Sequence, residues 1–427
     1  MSESAWILSA GFAALLLIGV PFGIALGLTT ALVLILADIP SMMLAQTMIA
    51  GTQSFSLLAI PFFMLAGEIM TAGGLSQRMI KVANVFVRHL PGGLGHVTIV
   101  AACIFAAISG SAPATTAAIG GILIPAMVAK GYSKPFATAV AVSAGVLGPL
   151  IPPSIASVIW GVIAEVSIAR LFISSILPGA LMALGMMVVC YLYAKRNKIP
   201  LEPRASFRER LHALREGIWA LGAPILVLGG IYTGAFTPTE AAVVSCIYSL
   251  LVGFFVERRL TLKTLPAIVL KALRITAIVM FIIAASAGFG VLVAQEQIAI
   301  KIAEWLASNI QERWALLLLL NVFLLVVCAV MDEIAIMVIL GPLMIALAHK
   351  FGVDPIHFGT IIVTNAAIGM AAPPIGYCLF VGMAISGLKL GQIARAIWPL
   401  IIVMFVVLMV VTYVPGFSLW LPSLINH

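Results

Sequence analysis

The residues best placed to do chemistry in this chain are uncharged oxygens at breaks in apolar segments. The first break is Ser109-Gly110-Ser111-Ala112-Pro113, midway through residues 97–129, a run of 33 residues without Asp, Glu, Lys or Arg. The next is Gly148-Pro149-Leu150-Ile151-Pro152-Pro153, followed by Ser154, within the equally uncharged residues 135–164. Hydroxyls of Ser109, Ser111, Thr115, Thr116 and Ser154, with carbonyls freed near Gly110 and Gly148, are neutral hard ligands of the kind that suit Na⁺. Half-helix N-termini at the same breaks offer N–H groups and a partial positive charge, which suit an anion. The Thr116 hydroxyl has a second reading, a bond to its own helix backbone.

A related set follows in the second half: the turn Cys328-Ala-Val-Met-Asp332-Glu333, and Thr364-Asn365-Ala-Ala-Ile-Gly369-Met-Ala-Ala-Pro373-Pro374-Ile-Gly376. Its acidic pair sits within an apolar run, where a charge costs about 2.5–3.5 kcal/mol on insertion scales. Asp332 and Glu333 are therefore either site ligands or N-terminal caps of the helix that follows. Of the other acids near apolar runs, Glu68 reads as solvated at an interface and Glu165 as paired with Arg170. Glu240, after Thr237-Pro238-Thr239, reads as a first-turn carboxylate behind an N-cap.

The elements that must hold these residues are membrane helices. Hydrophobic residues make up 63% of the 427 and charged residues 9%, against about 25% charged in a soluble domain. The chain reads as an all-α polytopic membrane protein, its natural surroundings a lipid bilayer. Five cysteines without a CxxC pair and six unclustered histidines give no metal spacing. There is no Walker sequence, dinucleotide fingerprint or HExxH, and no paired catalytic set, so no enzyme is expected. The N-terminus lacks the basic start of a signal peptide, so the first apolar run is kept as a span.

Crossings are expected at about 5–20, 22–38, 54–72, 135–164, 168–194, 217–236, 239–256, 275–294, 355–386 and 396–414. Residues 97–129 and 314–348 are too short for two crossings, which need about 40 residues, and read as re-entrant hairpins. With residues 195–215 cytoplasmic, 19 of the 23 Lys and Arg fall on that side. The net charge of +8 thus reflects topology rather than nucleic acid, and both termini are predicted periplasmic. The threading exposes an inverted repeat. Residues 1–195 form the first unit (hairpin 97–129, broken helix 135–164), 196–216 a basic cytoplasmic loop, and 217–427 the second unit (hairpin 314–348, broken helix 355–386). Pro125, Pro135 and Pro152-Pro153 match Pro342, Pro355 and Pro373-Pro374. Inverted repeats with discontinuous helices characterise secondary transporters.

The stretches SGSAPATTAAIGG, GPLIPPS, TGAFTPTEAA, MDEIAI and DPIHFGTIIVTNAAIGMAAPPIG resemble the large membrane subunit of tripartite ATP-independent periplasmic (TRAP) transporters, of the ion-transporter superfamily. The resemblance implies Na⁺-coupled, elevator-type uptake of an organic acid anion, such as a C4-dicarboxylate or a sialic acid, across a bacterial inner membrane. It implies two partners, a small four-helix membrane subunit and a periplasmic substrate-binding protein. It places one Na⁺ site at Ser109, Gly110, Ser111, Gly148, Pro149 and Ser154, and a second at Met331, Asp332, Glu333, Thr364, Gly369 and Ala372. Ser111, Thr115, Pro152, Asn365 and Pro373 are the candidate substrate contacts. Ala372 stands where family members commonly have Thr, which removes an oxygen from the second set. A stand-alone Na⁺/anion symporter of the same superfamily is the alternative.

Overall fold

Inside a bilayer every backbone N–H and C=O must find an internal partner, so so apolar a chain folds into helices. The computed structural model describes residues 3–310, 312–329, 331, 333–374 and 376–424, and no strand occurs among them. Among the described residues nine helices are long and apolar enough to cross a membrane. Large side chains such as Ile35, Ile225, Phe255 and Ile278 stand on the outer surface, where hydrocarbon accommodates them at no cost.

The first half comprises α1 (Glu3–Leu17), α2 (Phe22–Leu36), α3 (Met42–Thr52), a 3-10 turn at Phe55–Leu58, α4 (Ala59–Ala72) and α5 (Leu75–Val87). Then come the hairpin α6 (Gly93–Ser109) and α7 (Ala112–Ala129), the broken helix α8 (Lys134–Gly145), α9 (Leu147–Leu150) and α10 (Ile155–Ile163), and α11 (Ile168–Arg196). The second half comprises α12 (Phe207–Tyr232), α13 (Pro238–Leu251), α14 (Leu265–Gln295) and α15 (Ile298–Asn309). Its hairpin is α16 (Arg313–Cys328) and α17 (Glu333–Lys350), and its broken helix is α18 (Pro355–Gly369) and α19 (Tyr377–Ser386), followed by α20 (Leu390–Tyr413) and α21 (Gly416–Leu424). Hairpin, broken helix and long helix thus recur in the same order.

Several expectations change in detail. The crossing read as 54–72 begins earlier, because α3 packs along α14; Gln46, Thr47 and Gln53 had diluted its apolar pattern. Together α3 and α4 span 42–72, matching the 31 residues of α14. The connections 73–96 and 295–313 contain the amphipathic helices α5 and α15. On α5, Leu75, Met79, Val82 and Ala83 are buried at helical spacing while Gln77 and Lys81 are exposed. Part of the loop 196–216 is helical, because Ser206 and Glu209 form a capping box that starts α12 at Phe207. Helices α1 and α2 have 15 residues each, about 22 Å against a core of about 30 Å. As a pair they leave the parity of later crossings unchanged.

Two packed bodies result. Helices α2, α3 and α4 pack on α14, with α13 on α4, whereas α7, α8 and α19 pack with α6, α11, α18 and α20. Ion pairs join segments of one side: Arg78 to Glu257, Lys81 to Glu216 at 3.1 Å, Arg88 to Glu209 at 3.3 Å, and Lys130 to Glu202 at 2.9 Å. These are segments that the charge rule puts on a common face. Glu68 is held by Lys271 Nζ at 2.7 Å rather than by solvent alone. No ion pair joins Glu165 to Arg170 among the described residues; the Arg170 N–H donates to Ser167 Oγ at 3.3 Å. Glu240 closes a capping box with Thr237.

Candidate functional site

The first break is a backbone-to-backbone contact. Helix α6 ends at Ser109 with Gly110 in the left-handed region (φ +58°), and Ser111 opens α7 without capping it through its side chain. Helix α9 carries Gly148 against that turn so closely that a Cβ there would lie 2.5 Å from the Ser111 carbonyl carbon and oxygen. On the far side of the Pro pair, the Ile155 N–H points to the Gly110 carbonyl at 3.5 Å. Ser109, Ser111, Gly148, Pro149, Pro152 and Ser154 are thereby brought into one small region, all buried except the half-buried Ser111.

Hydroxyl partners decide which oxygens face outward. Ser109 Oγ lies 3.0 Å from Thr115 Oγ1, which donates to the Ser111 carbonyl at 2.8 Å. Thr116 Oγ1 donates to the Ala112 carbonyl at 3.0 Å, the backbone alternative open at that position. Ser154 Oγ accepts from the Ser157 N–H at 3.2 Å as the cap of α10. A hydroxyl whose proton is directed at a carbonyl still presents lone pairs to a cation. Ser143, not singled out by sequence, is fully buried on α8 with an unpartnered hydroxyl. Its register equivalent is Thr364, five residues before Gly369 as Ser143 is before Gly148; that correspondence was the available signal.

The second break repeats the geometry. Gly369 faces the hairpin end so closely that a Cβ would lie 2.2 Å from Cys328 Cβ and 2.9 Å from the Cys328 carbonyl carbon. The Gly376 N–H donates to the Ala329 carbonyl at 2.9 Å, the counterpart of Ile155 and Gly110. The turn is tightened by Ala371 N–H to Ile368 O and Ala372 N–H to Gly369 O, at 3.0 and 3.1 Å. Half-buried Met331 donates its N–H to Val327 O at 2.9 Å, and Glu333 is buried as the first residue of α17. Asp332 lies outside the described residues.

Not every candidate joins that contact. Thr364 Oγ1 donates to Thr360 O at 2.7 Å along its own helix, and Asn365 turns to α16, donating to Asn321 O and Oδ1 at 3.0 and 3.1 Å. Pro373 lines an apolar crevice of about 510 Å³ with Ala329, Ala372, Pro374, Trp398 and Phe405. The hairpins also differ. Arms α6 and α7 lie along each other, whereas α16 lies along α18 and α17 against α10, α14 and α15. Helix α9 touches α18, so both breaks belong to one body.

Comparison with known proteins adds the following. The family model described as "Tripartite ATP-independent periplasmic transporter, DctM component" matches residues 9–417. The chain is 43% identical to the C4-dicarboxylate TRAP transporter large permease protein DctM of Pseudomonas aeruginosa, covering 93% of each chain. It is 35% identical to the sialic acid TRAP transporter large permease protein SiaM of Vibrio cholerae, covering 97% of each. The crystal structure of the Alcanivorax borkumensis YdaH transporter shares its fold, with a TM-score of 0.62 over 88% of each chain at 17% identity.

Proposed function

The chain belongs to the DctM family of TRAP transporters and is a large multi-pass permease of that family, and on that premise we propose that it couples inward Na⁺ movement to uptake of a small organic acid anion. The family is one of transporter permeases, not of enzymes. A C4-dicarboxylate or a sialic acid is the proposed class of cargo, delivered by a periplasmic binding protein to a complex of this chain and a small membrane subunit. Proposed Na⁺ ligands are the oxygens around Ser109–Ser111 with Gly148–Ser154, and those of Met331, Asp332, Glu333, Thr364, Gly369 and Ala372.

The observation that carries this reading is the paired contact of hairpin end and helix break. Each places freed carbonyls and half-helix ends in the interior, the first without any charged side chain and the second beside buried Glu333, where a cation and an anion can be held from opposite helix ends. An elevator motion is proposed between the body holding both breaks and the body built on α14. Their contact is apolar: a cavity of about 200 Å³ has Gly51, Ile283 and Ala287 on one wall and Ile159, Ile163 and Pro342 on the other. Apolar surfaces slide without breaking hydrogen bonds. The positive-inside bias supports an inner-membrane placement with both termini periplasmic.

The test is reconstitution in proteoliposomes with candidate acids. Uptake should require a Na⁺ gradient, the small subunit and a loaded binding protein together. Robust Na⁺-driven uptake by this chain alone would favour the stand-alone symporter.

A further inference from the structure

We propose that Asn321, Asn365 and Thr412 form a buried polar clamp that sets the Na⁺ affinity of the second break, acting as positioning residues rather than ligands; this rests on the Na⁺-coupled reading above. The three side chains are 0–1% exposed. They form a directed chain across α18, α16 and α20. Asn365 Nδ2 donates to Asn321 Oδ1 at 3.1 Å, Asn321 Nδ2 donates to Thr412 Oγ1 at 2.8 Å, and Thr412 Oγ1 donates to Leu408 O at 2.7 Å. The ring of His357, on α18, reaches the Thr412 carbonyl at 3.3 Å.

The clamp is found in one half only. Aligning Gly110 with Ala329 at the hairpin ends, and Gly148 with Gly369 at the breaks, puts Ala102 and Ala144 opposite Asn321 and Asn365. Two amides buried at an apolar crossing are costly unless bonded, and Asn365 Oδ1 stays without a partner among the described residues, so their presence calls for a role that the first half does not need. Packing supplies one. In the first hairpin α6 and α7 hold each other, whereas α16 has little support from α17 and relies on α18. Asn365 lies one helical turn before Gly369, and Gly376 bonds Ala329 beyond the break. The hairpin end is therefore held from both sides, and α16 cannot slip along α18 without breaking the amide pair. Register of the Ala329 region against Gly369–Ala372 then depends on a chain ending at Thr412.

The test uses the purified full-length chain and direct binding of radiolabelled Na⁺, with melting temperature read in parallel. Thr412→Val keeps the side-chain shape and strands the Asn321 donor; Asn321→Ala removes the central link; Thr412→Ser restores the hydroxyl. The first two should raise the half-saturating Na⁺ concentration of one class of site about tenfold, leaving the other class unchanged, and Thr412→Ser should bind like the parent. A Thr412→Val protein that melts earlier but binds Na⁺ with both parental affinities overturns the clamp, whose role is then structural. If Asn321→Ala fails to fold, Thr412→Val decides. A parent chain that binds no Na⁺ overturns the Na⁺-coupled reading and the clamp together.

Discussion

Gly148→Ala tests the first break through a single methyl. The new Cβ would lie 2.5 Å from the Ser111 carbonyl carbon and oxygen and 2.7 Å from the Ala112 nitrogen. Ordinary contact begins near 3.4 Å, so α9 must withdraw from the hairpin end by roughly 1 Å, and backbone on the opposing side has no rotamer with which to yield. Overpacking of this kind costs about 1–3 kcal/mol, and the helix preference of Ala over Gly offsets about 1 kcal/mol of it. Folding therefore survives, but oxygens on opposite sides of the contact no longer close on one ion. The expected result is at least about a tenfold higher Na⁺ concentration for half-maximal transport, measured in proteoliposomes holding the complete complex. Gly121→Ala is the control, since a Cβ on that face of α7 meets nothing within 4 Å and should leave transport unchanged. Parental Na⁺ dependence in Gly148→Ala would refute the assignment of this contact as an ion site.

Asp332→Asn keeps an acceptor but loses the charge, so a capping residue should lose about 1 kcal/mol or less and a site ligand should show a raised Na⁺ requirement; normal Na⁺ dependence returns Asp332 to capping. A cysteine placed at exposed Asn197 should be labelled only from the cytoplasm and one at Ser308 only from outside, and labelling of both from one side would break the inverted threading. Arg78→Gln strands Glu257, whose side chain is 7% exposed against 25% for Arg78, so stability should fall by about 1–3 kcal/mol with Na⁺ requirement unchanged; an unshifted melting temperature would show that the pair contributes nothing.

What the sequence made legible follows from which interactions are local. Charge-free runs, proline pairs and glycine breaks are written in consecutive residues, so both hairpins and both broken helices were found at nearly their structural bounds. The helices α3, α5 and α15 were missed because they mix polar and apolar residues. An amphipathic helix shows in the spacing of Leu75, Met79, Val82 and Ala83, not in mean apolarity. Partners distant in sequence were the least legible. Lys271 reaching Glu68, Asn365 turning to Asn321, and Gly369 seated against Cys328 depend on how helices cross. Chemistry could be assigned to Gly148 as a carbonyl source, but only the fold shows its Cα resting on the Ser111 peptide.

The distribution of ion pairs bears on how the proposed elevator divides its work. The basic residues of α5 and of the segment after it are bound to α12 and to Glu257, while Gln77 accepts from Arg259. Helix α5 is thus tied electrostatically to the neighbourhood of α12 and α13. Yet α5 leads directly into α6, the first arm of the hairpin, through Arg88 to Gly92. Helix α5 also packs along α6 as closely as along α12, so sliding of the break-bearing body must shear that packing and bend the short connection, or the ion pairs must break. The connection Leu90-Pro91-Gly92 has the composition of a bend rather than of a helix. On this division of labour the ion pairs define what stays still and the two breaks define what is carried. That is why removing Arg78 should loosen the fold without touching the Na⁺ requirement, while a methyl on Gly148 should raise the Na⁺ requirement and leave the chain folded.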